Sequence, residues 1–213
     1  MNHQPVRPAK GVIVETFDAI YQRRSVKHFD PAHRMSDAEV TKLLEAAIQS
    51  PTSFNIQHWR FVVVTDAALR RQMRAAGYDQ PQITDASVLI LMTADLKAWK
   101  KDPARYWRNA PKEVGDMLVG MIAPFHEGND QLQRDEAMRS IGMAMQTIML
   151  AAKSMGYDSC PMIGFEFDKV ARLINLPAEH VIGPMIAIGK GTKQPWPKPG
   201  QLPLSELVVR ERF

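Results

Sequence analysis

The sequence has few of the features that mark secreted or membrane proteins. Its 213 residues include a single cysteine, Cys160, so an internal disulfide is impossible and a reducing compartment is favoured. No apolar run approaches the ~18 residues that span a bilayer. The segment Met1–Lys10 is polar and proline-containing, without the apolar centre of a signal peptide. We therefore expect a cytoplasmic protein with no membrane partner.

Strong charge of one sign is also absent. The 27 basic residues exceed the 23 acidic ones only slightly, giving a net charge of +4. Nucleic-acid-binding proteins concentrate basic residues on one face, whereas here the basic clusters are short, at Arg23-Arg24, Arg70-Arg71 and Lys100-Lys101. A solvated surface accounts for most of them, and a site for an anionic ligand for one or two. We expect no nucleic-acid partner.

The common catalytic motifs are missing too. There is no glycine-rich dinucleotide fingerprint, no Walker-type loop, no G-x-S-x-G elbow and no zinc-ligand spacing, and the six histidines are scattered. The sequence thus predicts neither a metal site nor a catalytic side chain. If the protein is an enzyme, a bound organic cofactor has to supply its chemistry.

What is present is ordinary globular composition, with 45% hydrophobic and 23% charged residues. The length suits a single domain over residues 1–213, with a loose arm at 1–13 and an extended Pro- and Lys-rich tail at 192–213. Helices and strands follow one another without regular β-α-β alternation, which predicts an α+β fold, with three layers around a small central sheet. Apolar periodicity predicts helices at 14–22, 36–48, 67–76, 112–125, 135–155 and 168–174, and strands at 59–65, 87–93 and 181–188.

Two helices are distinctive. Ser36 and Glu39 form a capping-box pattern at the start of the second helix. The segment Ile141–Ala152 is apolar almost all round, which predicts burial at the centre of the fold or in a subunit interface.

Three further segments could carry chemistry. Arg23, Arg24 and Ser25 follow a helix and suit a phosphate, because guanidinium groups offer forked donors, although a solvated helix end explains them equally. The loop from Ser50 to Trp59 concentrates small hydroxyls and amides that can read a heteroaromatic ring, or that simply favour a turn. Cys160–Phe165 contains Gly164, which would admit a ligand close to the backbone, or forms an apolar strand with a glycine bulge.

In this order, the three segments resemble signatures of the nitroreductase family of flavoproteins. Ile20–Phe29 is similar to the family's R-R-S-x-R-x-F, Ser50–Trp59 to P-S-x-x-N-x-Q-P-W, Pro161–Gly164 to its P-x-x-G-F segment, and Ile188–Gly191 to its terminal strand exit. The resemblance covers roughly Phe17 to Val209. It implies a three-layer α-β-α fold with a mostly antiparallel sheet, an intertwined homodimer, and FMN bound between the subunits.

The resemblance also assigns site residues. It places Arg23, Arg24 and Ser25 on the FMN phosphate and ribityl chain, with Lys190 and Gly191 returning to the phosphate. It places Pro161, Met162, Ile163 and Gly164 along the isoalloxazine. Residues from the other subunit complete the site: Pro51, Thr52, Ser53, Asn55 and Gln57.

By the same resemblance, the protein uses NADPH or NADH to reduce a nitroaromatic, quinone or similar electron-poor acceptor by a ping-pong mechanism. Three alternatives stay open: a flavin or enone reductase, a dehydrogenase of a small metabolite, and an FMN-binding protein without turnover. Trp99, Tyr106, Trp107 and Phe125 could shape an acceptor pocket, or belong to the core. Cys160 is interpreted as a structural buried residue.

Two positions depart from the family pattern. His58 stands where the family often has proline, and Gln201 stands where many members have arginine. The second departure weakens the inferred phosphate site, and Lys190 or Lys198 could compensate.

Overall fold

Local sequence signals set most of the element boundaries. The computed structural model describes residues 15–213, so the predicted arm at 1–13 and Val14 lie outside the described residues. The helices are α1 Thr16–Gln22, α2 Asp37–Ala47, α3 Ala67–Ala76, α4 Gln82–Asp85, α5 Lys112–His126, α6 Asp130–Ser154, α7 Phe167–Leu173 and α8 Leu204–Leu207. The strands are β1 Trp59–Val64, β2 Val88–Asp95, β3 Asp158–Met162 and β4 His180–Gly189.

Side-chain caps explain where α2 and α6 begin. The Ser36 side chain accepts the N–H of Glu39, while Glu39 accepts the N–H of Ser36 at 2.8 Å, so the predicted capping box is confirmed. Helix α6 begins five residues before the predicted Asp135, because the Asn129 side chain accepts the N–H of Leu132 at 3.0 Å and caps an earlier turn.

The four strands form one antiparallel sheet in the order β1-β2-β4-β3. The central strand β2 is buried along its whole length, as its uninterrupted apolar run predicted. Strand β3 forms one edge and contains Pro161, a residue that an edge strand tolerates because its missing N–H is not needed by a second neighbour. The small, antiparallel sheet predicted from the family resemblance is confirmed.

Helices cover both faces of this sheet. Ile90 and Met92 point into a core shared with α2 and α6, whereas Leu89 and Leu91 point into a second core shared with α3, α4 and α7. The alternation follows from the two-residue period of a strand. The predicted α+β class with three layers is therefore confirmed.

Two predicted segments gain detail from the structure. Residues 160–162 belong to β3, so the segment before Gly164 is the apolar strand of our alternative interpretation. On one side of α6, Ile141 and Ile148 face the core, whereas Gly142 and Met143 on the other side are exposed within the described residues. Burial of this exposed side in a subunit interface stays a prediction.

The predicted tail is extended except for the single turn α8, and its large apolar side chains are exposed. Among residues 15–213, no helix has both the length and the apolar character that a bilayer crossing requires. The same described residues contain no group of three or more His, Cys, Asp or Glu side chains placed to hold a metal ion.

Candidate functional site

Arg23, Arg24 and Ser25 lie together in a cavity of about 480 Å³, closed on one side by residues 193–201 of the tail. We call it the tail cavity. Among the described residues, five cationic side chains and no carboxylate line it: Arg23, Arg24, Lys27, Lys193 and Lys198. Its electrostatic character is therefore strongly positive and suits an anion.

The two arginines of this cavity differ in their hydrogen bonds. Arg24 Nη1 donates to the carbonyl oxygens of Tyr21 at 2.6 Å and of Arg23 at 2.8 Å, which closes the end of α1. The Nη1 of Arg23 is buried and has no hydrogen-bond partner among the described residues. A buried guanidinium nitrogen without an acceptor is costly, and an anionic oxygen in the cavity would satisfy it.

Strand β3 brings the third predicted segment to the same place. Ser25 forms a parallel bridge with Ser159, and the N–H of Val26 donates to Ser159 O at 3.0 Å. Two residues further along β3 lies Pro161, followed by buried Met162, so the structure joins the first and third predicted segments within one chain.

Beyond β3 the backbone is open. Ile163 is 69% exposed, and Gly164 is exposed with a carbonyl that accepts Gln80 Nε2 at 2.8 Å. The N–H of Gly164 makes no hydrogen bond to a described residue, so it can donate to a ligand.

Cys160 of β3 is buried, and burial raises the pKa of its thiol, which is consistent with the interpretation of Cys160 as a structural residue.

The second predicted segment is a strained loop. Phe54, Asn55 and Gln57 have φ values of 50°, 55° and 54°, the left-handed region that non-glycine residues avoid. The Asn55 amide donates to Tyr106 O at 2.8 Å, and the N–H of Gln57 donates to Thr52 Oγ1 at 3.0 Å, which hold this conformation. Such strain persists where the surroundings fix it, and it concentrates at functional sites.

This loop lies away from the other two segments within one chain. It leads into β1, at one edge of the sheet, whereas Pro161 lies on β3, at the opposite edge, and Ser25 pairs with that strand. With strands about 4.8 Å apart, the two edges are separated by roughly 14 Å. Pro51, Thr52, Ser53, Asn55 and Gln57 therefore do not line the tail cavity; Asn55 and Gln57 line a separate cavity with Arg60, Arg105 and Arg108.

Lys190 and Gly191 follow β4 beside the first segment, but their polar groups have local partners. Lys190 Nζ donates to Gly156 O at 2.6 Å and lies 4.0 Å from the centre of the Tyr157 ring. The N–H of Gly191 donates to Asp158 Oδ2 at 3.2 Å. Neither residue lines the tail cavity, where Lys193 and Lys198 supply the charge from this part of the chain.

Trp99 and Tyr106, two of the aromatic candidates for an acceptor pocket, are buried beside Ile56 and Ile122 and form a small core, as our alternative interpretation held. Phe125 differs, because it is 46% exposed and its ring lies 5.4 Å from that of Phe54 in the strained loop.

His58 is fully buried at the end of the same loop. Its Nδ1 lies 3.3 Å from Ser140 Oγ, and its Nε2 has no partner among the described residues. Burial, together with the charge of the nearby His126, lowers the pKa of His58 to about 4, against the opposing effect of Asp95. The ring is consequently neutral at pH 7 and serves packing, in a position where a proline would have made no such polar contact.

Sequence reasoning missed several residues around the tail cavity. Lys27 and His28 line it from the first segment, and Lys193 from the tail. Their only sequence signal was proximity to the predicted phosphate residues, since an exposed lysine has no distinctive pattern. The contact of Gln80 with Gly164 links positions 84 residues apart.

Known proteins are similar to this chain over most of its length. The family model described as "Nitroreductase family" matches residues 20–190. Protein DrgA of Synechocystis sp. (strain PCC 6803) is 63% identical over 200 residues, covering 92% of this chain and 95% of that protein. A Bacillus subtilis (strain 168) protein with the provisional name NAD(P)H nitroreductase YodC is 30% identical, covering 92% and 98%.

A solved structure is similar along nearly its whole length. The crystal structure of a provisionally named nitroreductase in complex with FMN, from Exiguobacterium sibiricum 255-15, superimposes with a TM-score of 0.88. It is 25% identical and the match covers 95% of this chain and 100% of that one.

Proposed function

This chain belongs to the nitroreductase family, and on that premise we propose that it is an FMN-dependent oxidoreductase which uses NADPH or NADH to reduce a nitroaromatic, quinone or similar electron-poor acceptor. The observation that carries the proposal is the tail cavity, where the buried Nη1 of Arg23 has no partner among the described residues and five cationic side chains face one space. An FMN phosphate would satisfy that donor and offset that charge.

The residues present fit the rest of the cofactor. The tail cavity adjoins β3 through the pairing of Ser25 with Ser159, so a phosphate held by Arg23 would leave the ring near Met162 and Gly164. The exposed side chain of Ile163 offers an apolar surface for the ring, and the N–H of Gly164 offers a donor to its polar edge. The FMN complex of the Exiguobacterium relative supports this assignment.

When bound, FMN supplies the chemistry by accepting two electrons as hydride from a nicotinamide and passing them to an acceptor. The chain's own residues hold and orient. Arg23 and Arg24 bind the phosphate. Asn55 and Gln57 line the separate cavity, and beyond their local bonds their amides keep hydrogen-bonding capacity for a ring or substrate edge. No side chain is required to exchange a proton with the nicotinamide.

We propose further that two copies of the chain form each site. The loop with Asn55 and the cavity with Arg23 lie at opposite sheet edges, so one chain does not bring them together. Exposed apolar side chains supply a surface that a second copy would cover, as a symmetric dimer requires. They include Ile48, Met117, Met121, Phe125 and Met143.

The test of cofactor and donor is a visible absorption spectrum, recorded before and after anaerobic addition of NADPH or NADH. A yellow protein whose flavin bands bleach supports the proposal. A colourless protein that also fails to take up added FMN contradicts it. If the protein binds flavin but neither NADPH nor NADH bleaches its absorption bands, the alternative of an FMN-binding protein without turnover is favoured.

Steady-state kinetics test the class of acceptor and the ping-pong mechanism. Parallel lines in double-reciprocal plots, with NADPH and a nitroaromatic or quinone varied, are expected for a ping-pong cycle because the donor leaves before the acceptor binds. Faster turnover of free flavin, an enone or a small metabolite would replace the proposed acceptor class. Sedimentation should give a species of about twice the 24.0 kDa chain mass.

A further inference from the structure

A second cavity lies outside the site described above. It has a volume of about 670 Å³ and is lined by Arg34, Arg70, Arg71 and Arg74. We call it the arginine cavity. It shares no lining residue with the tail cavity, and its size falls in the range of about 300–1,000 Å³ that small-molecule sites occupy.

Helix α3 and the loop before α2 build this cavity. Arg70 and Arg74 are four residues apart, so both lie on one face of α3. Arg34 approaches from the loop, where its Nη1 donates to His33 O at 3.0 Å. The Arg70-Arg71 pair, one of the short basic clusters in the sequence, is thereby brought to a third and a fourth guanidinium.

Arg70 places a buried positive charge at this cavity. It is a charged residue only 8% exposed, and its Nε and Nη2 donate to the carbonyl oxygens of Ile83 at 2.8 Å and Ala86 at 2.7 Å. Both partners are neutral, and the guanidinium forms no ion pair with any residue of the described part of the chain. A buried charge without a counter-charge is costly.

The surrounding charges increase that cost. Burial lowers the pKa of Arg70, the charge of Arg34 lowers it further, and Asp85 opposes both effects. Asp79 is the one carboxylate among the described lining residues, and it is already paired with Arg74 at 2.7 Å. The arginine cavity therefore holds an excess of positive charge that the described residues do not neutralise.

We infer that the arginine cavity binds the phosphate group of a small molecule, through Arg34, Arg70 and Arg71. Four arginines line one concave space, which suits a compact anion better than an extended strand of nucleic acid. Free phosphate and a phosphomonoester present the same oxygens, and the cavity has room for either.

The site lies beside the candidate flavin site without depending on it. Arg70 holds the carbonyls of Ile83 and Ala86 in and after α4, while Gln80, just before α4, donates to Gly164 O. A phosphate in the arginine cavity would thus bind next to a segment that touches the flavin-binding backbone.

Calorimetric titration of the FMN-loaded protein with inorganic phosphate, at constant ionic strength, tests the inference. Loading with FMN fills the proposed phosphate position near Arg23. One phosphate per chain should bind saturably. A variant carrying Arg34→Gln and Arg71→Gln should lose at least about tenfold in affinity, since charge-assisted hydrogen bonds are removed. Both side chains are exposed, so the fold should persist.

The matched control is Arg172→Gln, an exposed arginine on α7 outside the arginine cavity. It should bind phosphate as the parent does. Absence of saturable binding in the parent, or equal affinity in the double variant, overturns the inference. Repeating the titration with AMP identifies the source: tighter binding than phosphate assigns a phosphomonoester, and binding no tighter assigns free phosphate.

If the protein proves not to hold FMN, the same titration is made on the Arg23→Ala variant. This variant lacks the buried guanidinium that is proposed to bind an anion in the tail cavity. Phosphate binding that survives Arg23→Ala and is lost with Arg34→Gln and Arg71→Gln assigns the anion to the arginine cavity whatever the fate of the proposed flavoenzyme function.

Discussion

At the scale of single residues, the unsatisfied Nη1 of Arg23 is the most informative atom of the candidate flavin site. Folding buries a charged donor only where some acceptor compensates for the lost water. Arg24 differs, because its Nη1 already donates to the carbonyls of Tyr21 and Arg23 and so has a structural task.

We predict that Arg23→Ala weakens FMN binding by about tenfold or more, the effect of losing a hydrogen bond between charged groups. Fluorescence titration of the apoprotein with FMN measures the dissociation constant. Arg172→Ala, which removes an exposed arginine elsewhere, is the control and should leave FMN affinity unchanged. Equal flavin retention by Arg23→Ala and the control would remove Arg23 from the phosphate site.

His58 makes stability depend on pH. Its pKa in the folded protein is about 4, below the ordinary 6.5, so the unfolded chain takes up a proton that the folded chain does not. The free energy of unfolding therefore falls as the pH drops from 6.5 towards 4. At about 1.4 kcal/mol per pH unit, the loss reaches roughly 3 kcal/mol.

His58→Gln should flatten this pH dependence, because glutamine does not titrate. Urea unfolding at pH values from 7 to 4.5 measures the slope for both proteins. Some slope should remain in the variant, since burial also lowers the pKa of His180. An unchanged slope would mean that other groups, and not His58, dominate acid destabilisation.

At the scale of elements, the contact between sheet and long helix depends on a glycine. A Cβ added at Gly183 in β4 would lie 3.0 Å from Met92 O and 3.1 Å from Ile141 Cγ2 of α6. The backbone oxygen belongs to the neighbouring strand β2 and has little freedom to move. The absence of a side chain at Gly183 therefore allows β4 to pair closely with β2 and allows α6 to pack on the sheet.

We predict that Gly183→Ala lowers the free energy of unfolding by about 1–3 kcal/mol, the cost of inserting a methyl group into a filled core. Gly120→Ala on α5 is the matched control, because its Cβ would meet nothing within 4 Å and alanine favours a helix by up to about 1 kcal/mol. Urea denaturation compares the two. Equal stability of both variants would show that the core around Gly183 has room for an added methyl group.

At the scale of the whole molecule, the arrangement of the sheet separates the two halves of the proposed site. Arg23 lies beside the edge strand β3, and Asn55 precedes the other edge strand β1. A dimer would bring the Asn55 loop of one copy to the tail cavity of the other, where Arg23 lies. Substitutions in the two halves would then damage a site from different chains.

We predict that Arg23→Ala and Asn55→Ala chains complement each other when co-expressed. Random pairing makes half of the dimers mixed, and each mixed dimer carries one intact site, so about a quarter of the sites should recover. Flavin-dependent NADPH oxidation is measured at an FMN concentration that leaves each variant alone nearly empty. Arg23→Ala mixed with Arg24→Ala is the control and should not recover; no recovery in the test pair argues for sites within one chain.

Much of the fold was accessible from the sequence. The capping box at Ser36, the apolar run of β2 and the helical periodicity of α6 are local signals, because hydrogen bonds and side-chain direction within an element depend on neighbouring residues. The order of the three chemical segments also sufficed for the family resemblance, which the family model over residues 20–190 confirms.

Only the tertiary structure decided which distant residues meet. The pairing of Ser25 with Ser159, the contact of Gln80 with Gly164 and the approach of Arg34 to Arg70 join residues far apart in the chain, and no local pattern encodes them. Long-range packing of the sheet, helices and loops decides them, and the same packing places β1 and β3 at opposite edges. The sequence by itself determined most of the elements and the family, because these depend on local patterns and motifs. Long-range packing decided that the segments of Arg23 and Asn55 lie apart within one chain, and it formed a separate cavity of arginines.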